Sequence, residues 1–382
     1  MKIAIIYDMP YPFNVGGVEV RNYQMAKYLS LNHDVHFFSV KMWDGPDIIK
    51  KDNITYHGVC RYSKMYNFDG ARTTWEPIKF AFKLFRPLYK EKFDVIDTSS
   101  FVYFHCFTCK AISVLRKTPL VFTWHQYWGD YWDEYVGGFR AFVGKIMEKM
   151  VKNLTQNHIA VSFTTKNDLV AAGVPQNNIA VIYNGVDLEN VAKSPLADQK
   201  FDILFVGRLT HQKNVKLLIE SVNLIKNNYP TFKVGIIGDG PNREELVKKT
   251  KKLNLEKNID FLGFLEDLSE VYSLMKNAKI FVLPSLLEGF GIVVVEANAC
   301  GLPAIVIKNK WNAANELVTD QENGFVVENT AEALAFKIIE LLENEELRSA
   351  MSARAREFAS DFAWQRLAKK LEQYYLRKIP LK

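Results

Sequence analysis

The sequence predicts an α/β protein of two doubly wound domains, each a parallel sheet with helices on both faces. Three observations lead there. At 382 residues the chain is long enough for two domains of roughly 100–200 residues. Short β-branched runs alternate with stretches of helical periodicity, and repeated βα units imply parallel strands covered on both sides. The alternation is interrupted once, at VDLENVAKSPLADQK (186–200), and then restarts.

KIAIIYD opens the chain as a fully buried parallel strand, and the amphipathic stretch from Val18 to Leu31 follows it as a helix. Further strands are expected at 34–40, 54–59, 94–100, 119–125, 158–163 and 178–185. After the interruption, strands are expected at 202–208, 233–239, 259–264, 279–285, 303–308 and 324–327, with helices over 214–227 and 242–253. The expected division is an N-terminal domain over 1–188, a linker over 189–200, a C-terminal domain over 201–357 and a final helix over 358–382 that returns to the first domain. In such folds ligands sit beyond the carboxyl ends of the strands, so two facing domains define a cleft lined by strand-end loops.

Composition narrows the class. Forty-nine Lys and Arg against 43 Asp and Glu give a net charge of +6, too weak for a dedicated nucleic-acid binder. No apolar run reaches the ~18 residues of a membrane span, and the first residues lack the pattern of a signal peptide. A cytoplasmic enzyme is expected. The four cysteines make no disulfide framework, and Cys106 and Cys109, a C-x-x-C inside a helical pattern, read as structural thiols because no second pair completes a zinc site.

Three loops carry candidate chemistry. Gly16-Gly17-Val18-Glu19 opens the first helix, where small residues let backbone N–H groups meet an anion; a simple tight turn is the alternative. Neither this segment nor Gly235, Gly238, Gly240 has the spacing of a dinucleotide-binding fingerprint. Arg208 and Lys213, in GRLTHQKN, follow the first strand of the second half, and two cations at that position suit a diphosphate whose charge grows as a bond to it breaks; solvated surface cations are the alternative. After KIFVLPS comes Leu287-Glu288-Gly289-Phe290-Gly291-Ile292, with Glu296 inside the helix that follows. The glycines expose N–H groups to a phosphate. A carboxylate among apolar neighbours needs donors, which sugar hydroxyls supply; a core ion pair is the alternative.

The stretch from Glu288 to Glu296 resembles the E-x7-E motif of the retaining family 4 glycosyltransferases, which have the GT-B fold of two facing Rossmann-like domains. The similarity extends to the early Gly-Gly-x-Glu, Asn184-Gly185-Val186-Asp187, the Gly207-Arg208 to Lys213 segment, Gly238-Asp239-Gly240, Gly301-Leu302-Pro303 and Glu316-Leu317-Val318 with Asn323-Gly324. The resemblance implies a nucleoside-diphosphate sugar, of UDP- or GDP-hexose type, held mostly by the second domain. It implies that Arg208 and Lys213 contact the diphosphate, that Glu288 hydrogen-bonds the transferred sugar, that Glu296 holds the ribose and that the Gly16-Gly17 loop closes on the diphosphate. His125 matches the family histidine that faces the donor sugar. Trp311-Asn312-Ala313-Ala314-Asn315 departs from the glycine-rich turn often found before the glutamate matched by Glu316. The chain contains no Asp-x-Asp, so no metal and no cofactor beyond the donor are expected.

The acceptor is expected on the first domain, a glycan or a lipid-linked hydroxyl compound, with Trp124, Tyr127, Trp128, Tyr131, Trp132 and Tyr135 around His125 as its contacts or as core. Residues 72–92 carry six basic and two acidic side chains. Ile78, Phe82, Phe85 and Tyr89 lie at helical spacing there, interrupted by Pro87, which is expected to kink or split the helix. This basic amphipathic pattern either lies on an anionic inner membrane face through 75–93 or packs its aromatic stripe on the first sheet. Two other functions stay open: a nucleotide-sugar epimerase of the same fold, and a non-catalytic binder of nucleotide sugars or glycans.

Overall fold

A computed structural model describes residues 1–63, 73 and 75–379, which form two compact units: Met1–Asn184 with the helix from Trp364, and Gly185–Ala363.

The first unit contains β1 (Lys2–Ile6), α1 (Gly17–Leu29), β2 (Asp34–Lys41), β3 (Ile48–Lys51), β4 (Ile54–Arg61), α2 (Trp75–Lys90), β5 (Val95–Ser99), α3 (Phe104–Arg116), β6 (Leu120–Trp124), α4 (Tyr131–Tyr135), α5 (Gly138–Val151), β7 (His158–Ala160), α6 (Phe163–Ala171) and β8 (Ile179–Val181). Its sheet has the order β3-β4-β2-β1-β5-β6-β7-β8, parallel except for β3. β3 is absent from the sequence-based expectation. It pairs with β4 across Asp52-Asn53, both at positive φ (52° and 60°), the conformation of a two-residue hairpin turn that Asp and Asn tolerate.

The second unit contains α7 (Leu188–Lys193), β9 (Phe201–Val206), α8 (Val215–Ile225), β10 (Val234–Ile237), α9 (Arg243–Lys252), β11 (Ile259–Gly263), α10 (Leu268–Lys276), β12 (Ala278–Leu283), α11 (Ile292–Ala299), β13 (Ala304–Ile307), β14 (Gly324–Val327), α12 (Ala331–Glu343) and α13 (Glu345–Ser360). Its six parallel strands run β11-β10-β9-β12-β13-β14. Chain direction along the sheet reverses between β9 and β12, and the loops that leave these two strands flank the crevice where ligands of open α/β sheets bind. In the first unit the same reversal falls between β1 and β5.

Two segments differ from expectation. The stretch 189–200 is not simply a linker: Asp187 accepts a hydrogen bond from the Asn190 N–H (3.0 Å) and caps α7, whose Val191 is buried. The last helix, α14 (Trp364–Lys378), starts six residues later than expected, because α13 continues to Ser360. Trp364, Leu367, Leu371 and Tyr375 of α14 are buried in the first unit's core, where the Tyr375 hydroxyl donates to Asp97 of β5.

α2 also corrects the sequence reading. Its buried apolar side chains are Pro77, Phe80, Ala81, Leu84 and Leu88, whereas Phe82 is 80% exposed and Phe85 and Tyr89 are each 40% exposed. The aromatic stripe therefore does not pack on the sheet, because a second apolar row takes that place. Pro87 sits inside the helix, which runs unbroken to Lys90; near the end it removes one backbone hydrogen bond without ending the element. Arg72, counted in the charge of this region, lies outside the described residues.

Candidate functional site

In the second unit, backbone contacts draw the strand-end loops together before any side chain is considered. Gly238, at φ +130°, has no room for a side chain: a Cβ would stand 2.0 Å from the Gly207 carbonyl oxygen, and at Gly240 it would meet the Leu209 oxygen at 2.5 Å. The Gly238-Asp239-Gly240 turn after β10 thus packs directly on the backbone that leaves β9. The Leu286 N–H donates to the Gln212 carbonyl (2.8 Å), joining the loop after β12 to the loop after β9.

This register brings two predicted residues into contact. The Lys213 ammonium donates to Glu288 Oε1 at 2.5 Å, with the two side chains 23% and 10% exposed. An ion pair so withdrawn from water is screened less than a surface pair. Arg208 is exposed at the end of β9. Glu288 is held through its backbone as well, its N–H donating to the Trp311 carbonyl (3.1 Å) and its carbonyl accepting from the Ala313 N–H (2.9 Å). The Trp311–Asn315 segment therefore serves as a strap on the Glu288 loop, with Ala313 and Ala314 buried.

Gly289 is half-buried, and Phe290 is buried with its ring 6.0 Å from that of Phe362. Gly291, at φ +93°, caps α11, and a Cβ there would stand 2.9 Å from that of Ala314. Both the backbone angle and the contact call for glycine. Glu296 lies in the second turn of α11 and accepts a hydrogen bond from the Tyr272 hydroxyl at 3.0 Å. Burial pushes its carboxyl up to about 7, against the lowering effect of that hydrogen bond. Tyr272, from α10, has no signal in the sequence: it joins Glu296 through tertiary packing alone.

In the first unit, Gly16 caps α1 and Gly17 begins it. A Cβ on Gly16 would stand 2.6 Å from Glu19 Oε2, and the Asn14 amide donates to Glu19 Oε1 at 2.5 Å. The buried Glu19 carboxylate thus occupies the helix's first turn, and an anion approaching these N–H groups meets its charge. His125 follows β6 directly, its Nε2 3.2 Å from the Ser99 hydroxyl, to which the Asn22 amide also donates (3.1 Å). Burial, with the Arg21 guanidinium nearby, lowers the imidazole to about 3. His125 is neutral across the physiological range and offers hydrogen bonds rather than charge. Arg21, itself buried, donates to the Tyr183 carbonyl (2.6 Å) and to Asn184 Oδ1 (2.9 Å), tying α1 to the end of the unit.

The aromatic cluster divides. Trp124 is core, fully buried with its indole N–H donating to His158 Nδ1 at 3.0 Å. Trp128 packs on Phe101, Trp132 and Tyr135 at ring separations of 5.6, 4.7 and 4.6 Å. The loop that carries it is pinned by Glu148 of α5, a residue sequence reasoning missed. Glu148 is fully buried and accepts from the Trp128 and Gly129 N–H groups (2.8 Å each) and the Tyr103 hydroxyl (2.9 Å). Cys106 and Cys109 are buried on α3, and burial pushes both thiols up.

Two family models match the chain: glycosyltransferase family 4 over residues 15–190 and glycosyl transferases group 1 over residues 187–358. Among curated proteins, an uncharacterized glycosyltransferase of Methanocaldococcus jannaschii is 34% identical over 235 residues, 61% of this chain and 62% of that protein. The Campylobacter jejuni N-acetylgalactosamine-N,N'-diacetylbacillosaminyl-diphospho-undecaprenol 4-alpha-N-acetylgalactosaminyltransferase is 35% identical over 201 residues, 51% of this chain and 53% of that protein. The chain thus spans less than two thirds of the length of these two relatives. Among solved structures, Anabaena HepE in complex with UDP and glucose superposes with a TM-score of 0.77 at 20% identity, covering 98% of both chains.

Proposed function

Since the chain belongs to the family 4 glycosyltransferases of GT-B fold, we propose that it moves a sugar of hexose type from a UDP- or GDP-sugar to a hydroxyl of a glycan or lipid-linked acceptor, with retention of configuration and without a metal at the donor. The observation that carries this reading is the Lys213–Glu288 pair at the strand-order reversal. A cation and a hydrogen-bonding carboxylate side by side suit the separation of a diphosphate from its sugar. In this reading Arg208 and Lys213 take the charge that grows on the leaving diphosphate. Glu288 orients the sugar, Glu296 accepts from the ribose hydroxyls, and the N–H groups of Gly289, Phe290 and Gly291 line the start of α11.

The deciding experiment incubates UDP- and GDP-sugars alone and with glycan and polyprenyl-linked acceptors, following nucleoside diphosphate release and the anomeric configuration of the product. Donor converted without acceptor would make the protein an epimerase, and binding without turnover would make it a binding protein. A second expected result concerns the donor site alone. UDP or GDP raises the melting temperature in the presence of chelator, by the equivalent of about 2.7 kcal/mol at a hundredfold excess over Kd. Stabilisation by both nucleotides only with a divalent ion would refute the metal-free site.

The lipid-linked option draws support from the name of the Campylobacter relative and from the outer face of α2, where Phe82, Phe85 and Tyr89 stand exposed beside exposed Lys83, Arg86 and Lys90. No described helix is long and apolar enough to cross a membrane. A surface helix of this kind gains about 1 kcal/mol per cation near anionic lipid. The protein is expected to co-sediment with vesicles containing phosphatidylglycerol and not with pure phosphatidylcholine. Phe82→Ser with Phe85→Ser should abolish sedimentation with the fold retained; binding unaffected by that pair would remove α2 from the account.

A further inference from the structure

A buried cluster in the first unit lies apart from the strand ends that carry the proposed transfer. β2 and β4 run parallel with Phe38 opposite His57 and His36 opposite Thr55, so these side chains share one face of the sheet. α2 packs on that sheet region, and Glu91 follows the helix's last residue. His36 and His57 are only 5% and 4% exposed. His36 Nδ1 stands 2.8 Å from His57 Nε2 and 3.9 Å from Glu91 Oε2. One ligand atom from each of the three residues lies within 4.8 Å of the others.

We propose that His36, His57 and Glu91 bind one divalent transition ion of the zinc class. Ligand atoms at about 2.0–2.1 Å around a tetrahedral centre stand roughly 3.3 Å apart; the 2.8 Å His36–His57 and 3.9 Å His36–Glu91 separations lie on either side of that value, and the three side chains close on the ion from within 4.8 Å of one another. Two imidazoles and one carboxylate leave a fourth position for water, and that donor set suits zinc and excludes calcium or magnesium, which take oxygen ligands. The far nitrogen of His36, Nε2, lies 3.2 Å from Asp34 Oδ1. The two are not aligned for a hydrogen bond before an ion binds; once Nδ1 ligates the ion, a proton on Nε2 turned toward this carboxylate gives the usual arrangement behind a metal-binding histidine.

The local charge agrees. Asp34 and Glu91 share one ammonium, that of Lys2. Two carboxylates around one ammonium leave a net negative charge beside the imidazoles, and the carboxyl end of α2 adds to it. The Lys2 ammonium pairs with Glu91 and stands 3.6 Å from Asp34. It competes with the ion for Glu91 and transfers to Asp34 when the ion binds. The bound ion joins β2, β4 and the segment after α2, and acts on stability rather than on the transferred sugar.

The test titrates the untagged, chelator-stripped chain with Zn²⁺ by calorimetry and with Co²⁺ by visible absorption, together with thermal melting. One ion per chain, a four-coordinate cobalt spectrum and a raised melting temperature are expected, with binding lost in His57→Ala. Glu91→Gln and Asp34→Asn should each weaken binding about ten- to a hundredfold; these sites are partly exposed, so both variants keep the proposal testable if His57→Ala fails to fold. Lys2→Gln should tighten binding, since the competing ammonium is gone. No binding would show instead an ion-pair network with no metal, and binding indifferent to Glu91→Gln, or weaker in Lys2→Gln, would overturn this ligand set.

Discussion

Lys213→Ala is expected to lower kcat by a hundredfold or more while changing donor affinity much less. The ammonium of Lys213 lies 2.5 Å from a Glu288 oxygen, in a place where both side chains are largely withdrawn from water. In the proposed reading a fixed cation there acts on charge as it develops on the leaving diphosphate, which is larger in the transition state than in the bound donor. Loss of one such stabilising donor typically costs about 3–4 kcal/mol in the barrier, or 10²–10³ in rate. Truncation also strips Glu288 of its partner, so part of the loss comes from a carboxylate left poorly solvated. The double variant with Glu288→Gln separates the two contributions: if much of the Lys213 defect is that unpaired carboxylate, the double variant falls well short of the product of the single defects. A raised KM with unchanged kcat in Lys213→Ala would mean that the lysine only binds.

The residues that meet in this site are separated by 75 positions, and the sequence alone does not bring them together. Each was legible as the sequel to a buried strand, because β9 and β12 are short β-branched runs and ligands gather at strand ends. That the two strands are neighbours follows from strand order, which periodicity does not encode. The partners that tune the site were invisible for a related reason. Tyr272 against Glu296, Glu148 beneath the Trp128 loop and Arg21 against Asn184 are contacts between elements distant in the chain, each made by a residue type common in any helix. α2 shows a different failure. Two apolar rows lie on one helix, and spacing alone does not tell which row meets the sheet. β3 was missed because IIKK is too short to show alternation, although the Asp-Asn turn after it is a hairpin signal.

The two glutamates should separate under substitution, since their surroundings and proposed roles differ. In the proposed reading Glu288 orients the sugar at the reacting carbon, so Glu288→Gln, which keeps the shape but replaces two acceptor oxygens by one acceptor and one donor, should fall mainly in kcat with nucleoside diphosphate affinity near normal. The same reading has Glu296 hold the ribose, remote from the breaking bond, so Glu296→Gln should weaken free nucleotide and intact donor alike. The carboxyl of Glu296, raised to about 7 by burial, adds a test of sign. Only its ionised form accepts from two ribose hydroxyls, so wild-type affinity for UDP or GDP should fall as pH drops below about 7, approaching tenfold per unit once the protonated form dominates. In Glu296→Gln that dependence should be flat. The amide oxygen can still accept from Tyr272, so the variant should fold. Calorimetric titration between pH 6 and 8 decides the matter once circular dichroism shows both variants folded. The reverse ordering of affinities, or a pH dependence that survives Glu296→Gln, would assign the ribose to another group, and equally small effects in binding and turnover would leave both carboxylates as parts of the core.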